Sequence, residues 1–380
     1  MVSRGAWLEI DKSKLANNYM EVKRAVGPDV KICAVLKAQC YGIGAPGVAE
    51  TLEALGDDAP DSYIVACVSE ALELRPVIAP HKEILILGYV EPENYEIVID
   101  EEITLTMYRL DLAEEFNRVA LSKGKKGLMH IKLNTGMNRT GFIPSEEAAD
   151  EIVKIMNMPG LEATGIFTHL AVADETDKSI AHMQMKRFDD FVEVLKGRGL
   201  SIPKVHVAAS PAICDLPEYY RDMVRPGLLL TGYYSSEEVR RDQIKLQPCV
   251  KLKARLGNFM PVKAGEGVGY GHTYHLPEDT VIGLMPLGFS DGFTRGFSND
   301  FFVTIRGHKC PVIGRICMDH CMIDLKDVPD PVIGEEIVVY GDGINGADGA
   351  MNVDEVAAKR DSIPDEVLTN INARVPRIFV

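Results

Sequence analysis

Lys37 is the first residue of this chain whose type and position could support covalent chemistry. It follows the mostly apolar run Val30–Leu36, which predicts a β-strand, and it precedes Tyr41 and two glycines. Parallel α/β folds place active sites at the C-terminal ends of their strands, where a desolvated lysine can lose its proton and form a Schiff base with an aldehyde. On this segment alone, a lysine that caps the strand and reaches solvent is the simpler interpretation.

Further candidate residues occupy comparable positions. They lie on or just after other predicted strands, or in glycine-rich turns of the C-terminal third: Lys132, Arg139, His169, Ser210, Arg225, Gly227, Leu228, Tyr270 and Met318. Taken singly, Arg139 could be a surface ion-pair partner, His169 a core histidine and Tyr270 a packed aromatic residue. Because so many of these residues fall at the strand ends of one fold, we expect them to form a single site.

Eight short β-rich runs alternate with amphipathic stretches through the first 230 residues. The predicted strands are Ile32–Leu36, Tyr63–Val68, Ile84–Gly88, Ile103–Met107, Leu128–Leu133, Ala163–His169, Lys204–Ala208 and Val224–Leu230. Helical patterns include Lys14–Ala25 and Ser179–Gly197. This alternation predicts an α/β protein with a (β/α)₈ TIM-like barrel rather than an open sheet.

The pattern changes near residue 239. Strand-like runs with glycine and proline between them replace the long amphipathic helices, and they cover Val250–Leu256, Val281–Pro286, Phe302–Ile305, Met322–Leu325 and Ile337–Tyr340. We therefore predict two domains, a barrel over residues 1–238 and a mainly β domain over residues 239–380.

The composition argues against several classes of protein. A formal net charge of −15 disfavours nucleic acid or an anionic membrane surface as a partner. No apolar run approaches the roughly 20 residues of a membrane span, and no secretory signal pattern is present. The eight scattered cysteines indicate free thiols in a reducing compartment, so we expect a cytoplasmic protein. Cys317, His320 and Cys321 lack further ligands, so we expect no metal.

Several segments together resemble one enzyme family. The chain carries A-V-L-K-A-Q-C-Y-G at Ala34–Gly42, K-L-N-T-G-M-N-R at Lys132–Arg139, M-V-R-P-G at Met223–Gly227, V-G-Y-G at Val268–Gly271 and G-R-I-C-M-D at Gly314–Asp319. In this order they resemble the alanine racemases, which are amino-acid racemases that use pyridoxal 5′-phosphate. The resemblance extends over essentially the whole chain. It implies a barrel plus a β domain, and a homodimer whose two active sites each take residues from the partner chain.

The resemblance also implies a role for each candidate residue. Lys37 would hold the cofactor covalently and act as one catalytic base, and Tyr270 of the partner subunit would be the second. Further cofactor contacts would come from Tyr41, His169, Ser210, Arg225, Gly227 and Leu228. Arg139 and the backbone N–H of Met318 would bind the substrate carboxylate. Lys132 matches a family position that can be carbamylated.

Three departures from the family pattern bear on the substrate. The family ends in Ser-Tyr-Arg-Val-Pro-Arg, whereas this chain has Asn372, Ala373 and Arg374 before Val-Pro-Arg, so a tyrosine that crowds the alanine methyl is missing. A family Asn-Ser becomes Ala209-Ser210, and Gly-Tyr-Ala-Asp-Gly becomes G-F-S-D-G with Phe289 in second place. Because the missing tyrosine leaves space beside Ala373 and Asn372, we predict that serine is a substrate that is used at least as efficiently as alanine. The chain would then resemble the serine/alanine racemases of vancomycin-resistance systems, in which the racemase is the cytosolic domain of a longer membrane protein.

Three alternatives remain open at this point. A strict alanine racemase that supplies D-alanine for the cell wall is the nearest. A decarboxylase of related fold is disfavoured by Arg225 and Tyr270, because those enzymes place a carboxylate at the ring nitrogen of the cofactor. A non-catalytic pyridoxal-phosphate carrier would resemble the barrel alone.

Overall fold

The computed structural model describes residues 4–380, and their contacts divide them into two compact units. The barrel unit comprises residues 16–40 and 45–247, and the β unit comprises residues 4–15, 41–44 and 248–380. The strands in this part of the chain are β1 Ala6–Ile10, β2 Lys31–Val35, β3 Ser62–Val65, β4 Glu83–Ile86, β5 Thr104–Met107, β6 Gly127–Lys132, β7 Leu161–Phe167, β8 Val205–Ala209, β9 Met223–Arg225, β10 Val250–Arg255, β11 Asn258–Val262, β12 Thr280–Met285, β13 Phe302–Ile305, β14 His308–Ile313, β15 Cys321–Asp324, β16 Glu336–Tyr340 and β17 Arg377–Phe379.

Strands β2–β9 form a closed barrel in which every neighbouring pair is parallel. The barrel closes where β9 pairs with β2, with Met223 opposite Lys31. The helices of this region are Lys12–Val26, Ala45–Glu53, Val68–Leu74, Tyr95–Asp100, Leu110–Lys123, Glu146–Met156, Ser179–Gly197, Ser210–Asp215 and Leu228–Thr231. The predicted (β/α)₈ barrel is confirmed.

Local sequence signals explain where several of these helices begin and end. The Ser145 hydroxyl accepts a hydrogen bond from the N–H of Ala148 and so caps helix Glu146–Met156, whose first turn is acidic. Helix Leu110–Lys123 ends at Gly124, which has a φ of 63°, a left-handed conformation that glycine adopts without strain. Both signals belong to helices that alternate with the barrel strands, and they define where these helices begin and end.

The β unit contains one nine-stranded sheet with the order β11-β12-β15-β14-β13-β16-β10-β1-β17. Most neighbouring strands are antiparallel, and β1 and β17 are parallel. Two short helices, Val353–Lys359 and Pro364–Thr369, precede the last strand. The predicted mainly β region is confirmed.

The N-terminal strand lies elsewhere than the sequence indicates. The sequence predicts a barrel domain over residues 1–238, whereas the structure places β1 in the sheet of the β unit, where Leu8 pairs with Leu252 of β10 and with Arg377 of β17. Four of its five residues are buried. Its partners lie more than 240 positions away in sequence, so a local pattern shows a strand but not its sheet.

A search of residues 4–380 finds no helix with the length and apolarity needed to cross a membrane.

Candidate active site

Lys37 follows strand β2 after a single intervening residue, at the C-terminal end of the barrel. The chain then makes an unusual turn. Four consecutive non-glycine residues have left-handed φ angles of 51°, 57°, 49° and 55°: Ala38, Gln39, Cys40 and Tyr41. Left-handed helical backbone costs roughly 1–2 kcal/mol per residue for L-amino acids, so the rest of the fold must hold this turn in place.

The carboxylate of Glu70 holds the turn. The backbone N–H of Ala38 donates to Glu70 Oε1 at 2.8 Å, and the N–H of Ala66 donates to Glu70 Oε2 at 2.7 Å. Ala66 directly follows strand β3. One side chain therefore ties the ends of two neighbouring barrel strands together beside Lys37.

Four basic side chains, termed the cationic cluster, act on His169 at this end of the barrel: Lys37, Lys132, Arg139 and Arg225. Burial and the positive charges of Arg225 and Arg139 lower the pKa of Lys132 well below its usual range. Burial also lowers the pKa of the neighbouring His169, and all four members of the cationic cluster add to that effect. The groups that act on Lys132 and His169 are thus all cations, which makes this end of the barrel a site for an anion.

Arg225 is buried, and three contacts fix its guanidinium. One terminal nitrogen lies 2.9 Å from His206 Nδ1, and the other donates to the Thr168 carbonyl at 3.1 Å and lies 3.2 Å from His169 Nδ1. The guanidinium also lies over the Phe167 ring, 5.4 Å from its centre. Burial lowers the pKa of Arg225 to about 10, which still leaves it charged at neutral pH.

Ser210 and Gly227 meet at the ends of strands β8 and β9. The N–H of Gly227 donates to the Ser210 hydroxyl at 3.0 Å, and both residues are buried. Ser210 begins one short helix, and Leu228 begins another directly after Gly227. Backbone N–H groups at such turns, together with a hydroxyl, suit a phosphate.

The remaining candidates lie in the β unit. Tyr270, Phe289 and Met318 are large side chains that stay 69%, 41% and 57% exposed. Gly269 and Gly271 flank Tyr270 with φ angles of 69° and 72°. The N–H of Phe289 donates to the Cys317 carbonyl at 3.1 Å, so the segments that carry Phe289 and Met318 are paired.

Asp291 organises this part of the β unit. It is buried, and Arg374 Nε donates to its carboxylate at 2.7 Å. The same guanidinium reaches Asp319 Oδ1 at 2.6 Å, and the N–H of Ser290 donates to the Met318 carbonyl at 3.0 Å. Ion pairs and backbone hydrogen bonds therefore join three separate segments that each carry a predicted site residue.

Ala373 and Asn372 lie on one of those segments. Both are exposed, and the N–H of Asn372 donates to the Asp291 carbonyl at 3.0 Å. Asn372 and Phe289 also line an open cavity of about 600 Å³. Tyr41 belongs to segment 41–44 of the same unit and is half-buried.

Both halves of the chain match models of one family. Residues 10–235 match the model of "Alanine racemase, N-terminal domain", and residues 249–379 match that of "Alanine racemase, C-terminal domain". The chain belongs to the alanine racemase family.

Individual relatives are similar to this chain over essentially the full length of both sequences. The alanine racemase of Desulforamulus reducens is 38% identical over 374 residues, with 98% of each chain covered, and that of Methanococcus maripaludis is 38% identical over 383 residues, with all of each chain covered. A solved alanine racemase from Clostridium difficile 630 superposes with a TM-score of 0.94 at 35% identity and covers 100% of this chain and 97% of its own. The protein is an amino-acid racemase, an isomerase.

This racemase family depends on pyridoxal 5′-phosphate, and the residues present fit that group. The cationic cluster provides positive charge for an anion, and Ser210 and Gly227 offer a hydroxyl and backbone N–H groups for a phosphate. Lys37 is the amine at the strand end that can bind an aldehyde.

Three residues behind this site are not among those that the sequence predicts. Glu83, His130 and His206 lie on strands β4, β6 and β8 and form a chain of close polar contacts to Arg225. A signal was present in the sequence, because both histidines stand in apolar strand segments where a solvent-facing role is excluded. Their mutual contact was not visible, since they lie 76 residues apart.

Proposed function

We propose that this racemase interconverts the L and D forms of both alanine and serine by a two-base mechanism, with one base from each subunit of a homodimer. The small Ala373, exposed beside the exposed Asn372, is the observation that carries the serine activity. The two-base mechanism is supported by a lysine at the C-terminal end of a barrel strand and by a separate, exposed tyrosine on the β unit.

Racemisation requires a proton to leave one face of Cα and another to arrive at the opposite face. When bound, pyridoxal 5′-phosphate supplies an electron sink that makes the α-proton acidic. Lys37 takes or delivers the proton on one face, and Tyr270 of the partner subunit does so on the other.

Arg225 determines how strong that electron sink becomes. A guanidinium with a pKa of about 10 donates hydrogen bonds and does not readily transfer a proton. Held at the ring nitrogen of the cofactor, Arg225 would keep that nitrogen unprotonated. The resulting weaker sink favours quick reprotonation at Cα over side reactions. His169, with its lowered pKa, stays neutral beside it.

Two groups would bind the substrate carboxylate. Arg139 forms a charge-assisted pair with it, and the N–H of Met318, from the partner's β unit, adds a second contact. Burial and nearby cations lower the pKa of Lys132, which increases the share of its neutral, nucleophilic amine and supports carbamylation at this position. A carbamate there would reverse the charge of Lys132 and orient Arg139. Tyr41, Ser210, Gly227 and Leu228 would hold the phosphate.

Homodimer formation is supported by the surface of the β unit. The side chains of Tyr270, Phe289 and Met318 are exposed on segments that are hydrogen-bonded or packed together. An ideal Cβ on Gly271 would lie 3.1 Å from the Arg315 guanidinium, which places the Tyr270 turn next to the strand end that leads to Met318. Exposed aromatic and methionine side chains on one surface are typical of an interface. The eight free thiols support a reducing compartment such as the cytoplasm.

A comparison of L-serine and L-alanine tests the proposed substrate range. We expect a kcat/KM ratio of serine to alanine near or above one. Ala373→Tyr should lower this ratio by roughly tenfold or more, because one side-chain group in a substrate pocket is worth about 1–3 kcal/mol. Ala347→Tyr, the same substitution at an exposed loop position of the β unit, serves as the matched control and should leave the ratio unchanged.

A strict alanine racemase is the competing outcome. It predicts a ratio far below one in the wild-type enzyme and equal losses on both substrates in the Ala373→Tyr variant. Either result would contradict the serine activity while leaving the alanine racemase assignment intact.

A further inference from the structure

A line of polar side chains crosses the interior of the barrel. His130 Nε2 lies 3.2 Å from Glu83 Oε1, His130 Nδ1 lies 2.9 Å from His206 Nε2, and His206 Nδ1 lies 2.9 Å from a terminal nitrogen of Arg225. Both histidines are fully buried. Lys204 pairs with the other oxygen of Glu83 at 2.6 Å. We call Glu83, His130 and His206 the histidine relay.

The relay runs from one end of the barrel to the other. Glu83 is the first residue of strand β4, and Lys204 directly precedes strand β8. Arg225 is the last residue of strand β9, at the end where Lys37 and Ser210 lie. TIM-barrel interiors are normally filled by branched apolar side chains. A buried polar chain of this length is costly. His130 Nε2 has no hydrogen-bond partner among the described residues, so the nearby Glu83 charge is what compensates its burial.

Neighbouring residues are adapted to the relay. An ideal Cβ on Gly165 would lie 2.8 Å from the His130 ring, so only glycine at this position of strand β7 leaves room for that imidazole. The Phe167 ring stacks on His206 with centres 4.7 Å apart and planes inclined by 10°. The hydroxyl of Thr104 donates to Glu83 Oε1 at 3.0 Å. These neighbouring residues accommodate and contact the relay side chains specifically, which indicates that the relay has a role in the protein.

The chemistry of Arg225 fixes the direction of every hydrogen bond. A guanidinium only donates, so His206 Nδ1 must accept, and His206 carries its proton on Nε2. That N–H donates to His130 Nδ1, so His130 also carries its proton on Nε2. This second N–H faces the Glu83 carboxylate, which can only accept, at an N–O distance of 3.2 Å. All donors therefore point away from Arg225.

We propose that the histidine relay positions Arg225 and fixes its charge state for the reaction. This role rests on the proposed function of Arg225 at the ring nitrogen of the cofactor. The negative charge of Glu83 polarises both imidazoles and makes His206 Nδ1 a stronger acceptor for the guanidinium. Three of the five Arg225 N–H groups are used by His206, Thr168 and His169, so the orientation of the guanidinium is fixed.

Glu83→Gln tests the relay because it keeps the shape and removes the charge. The glutamine amide can also donate to His130 Nε2 and thereby reverse the tautomers. The matched control is Glu53→Gln, since Glu53 is another half-buried carboxylate of the barrel unit that pairs with a lysine, Lys82, at 2.6 Å. Both variants and the wild type are prepared as holoenzyme with ¹⁵N-labelled histidine, and His130→Asn and His206→Asn assign the two imidazole signals.

The relay predicts two neutral imidazoles in the wild type, both protonated on Nε2. Glu83→Gln should shift the ¹⁵N signals of both rings and lower kcat for L-alanine by roughly 10–100-fold, as loss of a partner behind an active-site residue typically does. KM should stay within about twofold, because the carboxylate contacts are untouched. Glu53→Gln should change neither the signals nor kcat.

Two results would overturn the relay. One is a wild-type His206 that is protonated on Nδ1. The other is a Glu83→Gln enzyme whose imidazole signals shift while kcat stays at the wild-type value. The NMR measurement does not depend on turnover, so failure of the proposed function of Arg225 would leave the tautomers as predicted and remain distinguishable.

Discussion

Individual buried side chains in the barrel carry unusual protonation states, and His206 is a clear case. Burial lowers its pKa well below the ordinary value, and the charge of Arg225 lowers it further. His169 and Lys132 behave in the same way for the same reasons. The fold thus holds neutral bases beside a permanent cation. This arrangement requires stabilisation from the rest of the barrel, and it makes stability depend on pH.

The free energy of unfolding should fall on acidification below about pH 6.5. The unfolded chain binds a proton at His206 there, because a free histidine has a pKa near 6.5, whereas the folded chain keeps this imidazole neutral. Each such proton contributes a slope of about 1.4 kcal/mol per pH unit. Urea unfolding at fixed protein concentration between pH 7 and 5 measures the slope.

His206→Asn should remove one proton from that slope. The control is His308→Asn, since His308 is an exposed residue of strand β14 and its removal should leave the slope unchanged. Identical slopes in the wild type and in His206→Asn would mean that this imidazole titrates alike in the folded and unfolded chains.

At the scale of elements, the sequence predicts the barrel well because each strand is a short apolar run between helical patterns. The predicted Ile32–Leu36 corresponds to the observed β2, and helix Ser179–Gly197 was predicted with its observed bounds. Strands β11 and β14 were missed, since they lie in stretches with exposed and polar positions such as Met260 and His308. Pairing of β1 with β17 depends on residues at opposite ends of the chain.

The candidate site, like the fold, is predicted from the sequence only in part. The sequence identifies Lys37, Arg139 and Arg225, because each is a charged residue near the end of an apolar strand. It could not identify Asp291 as the partner of Arg374, 83 positions later, because only the folded β unit brings the two together. Contacts of this kind decide where the Met318 segment lies.

Gly288→Ala tests how tightly that segment is held. An ideal Cβ on Gly288 would lie 2.3 Å from the Met318 carbonyl oxygen, so an alanine must displace the segment. We expect KM for L-alanine to rise roughly 10–100-fold, since a hydrogen bond to a charged group is worth about 1.5–3 kcal/mol. Steady-state kinetics of the folded variant, checked by circular dichroism, gives KM and kcat separately.

Gly257→Ala is the matched control in the same unit. Its nearest contact would be the Leu284 carbonyl oxygen at 3.5 Å, an ordinary separation. This variant should keep the wild-type KM. A folded Gly288→Ala enzyme with an unchanged KM would show that the position of Met318 does not matter for substrate binding.

At the scale of the whole molecule, the two proposed bases belong to different units of the chain. Lys37 belongs to the barrel unit, and Tyr270 stands exposed on the β unit. The proposed dimer brings the tyrosine of one subunit to the lysine of the other. Such a dimer has two equivalent shared sites, since a two-fold interface uses the same surface of both subunits.

Subunit mixing tests this central claim most directly. Lys37→Ala and Tyr270→Phe should each be nearly inactive, because a general base contributes roughly 10²–10⁴-fold. After exchange in equal amounts, half of the dimers combine the two variants, and each of these has one intact site, so alanine racemisation should recover to about a quarter of the wild-type rate by random pairing. Native mass spectrometry confirms that mixed dimers have formed. Mixed dimers with no more activity than the separate variants would contradict an active site built from Lys37 of one chain and Tyr270 of the other.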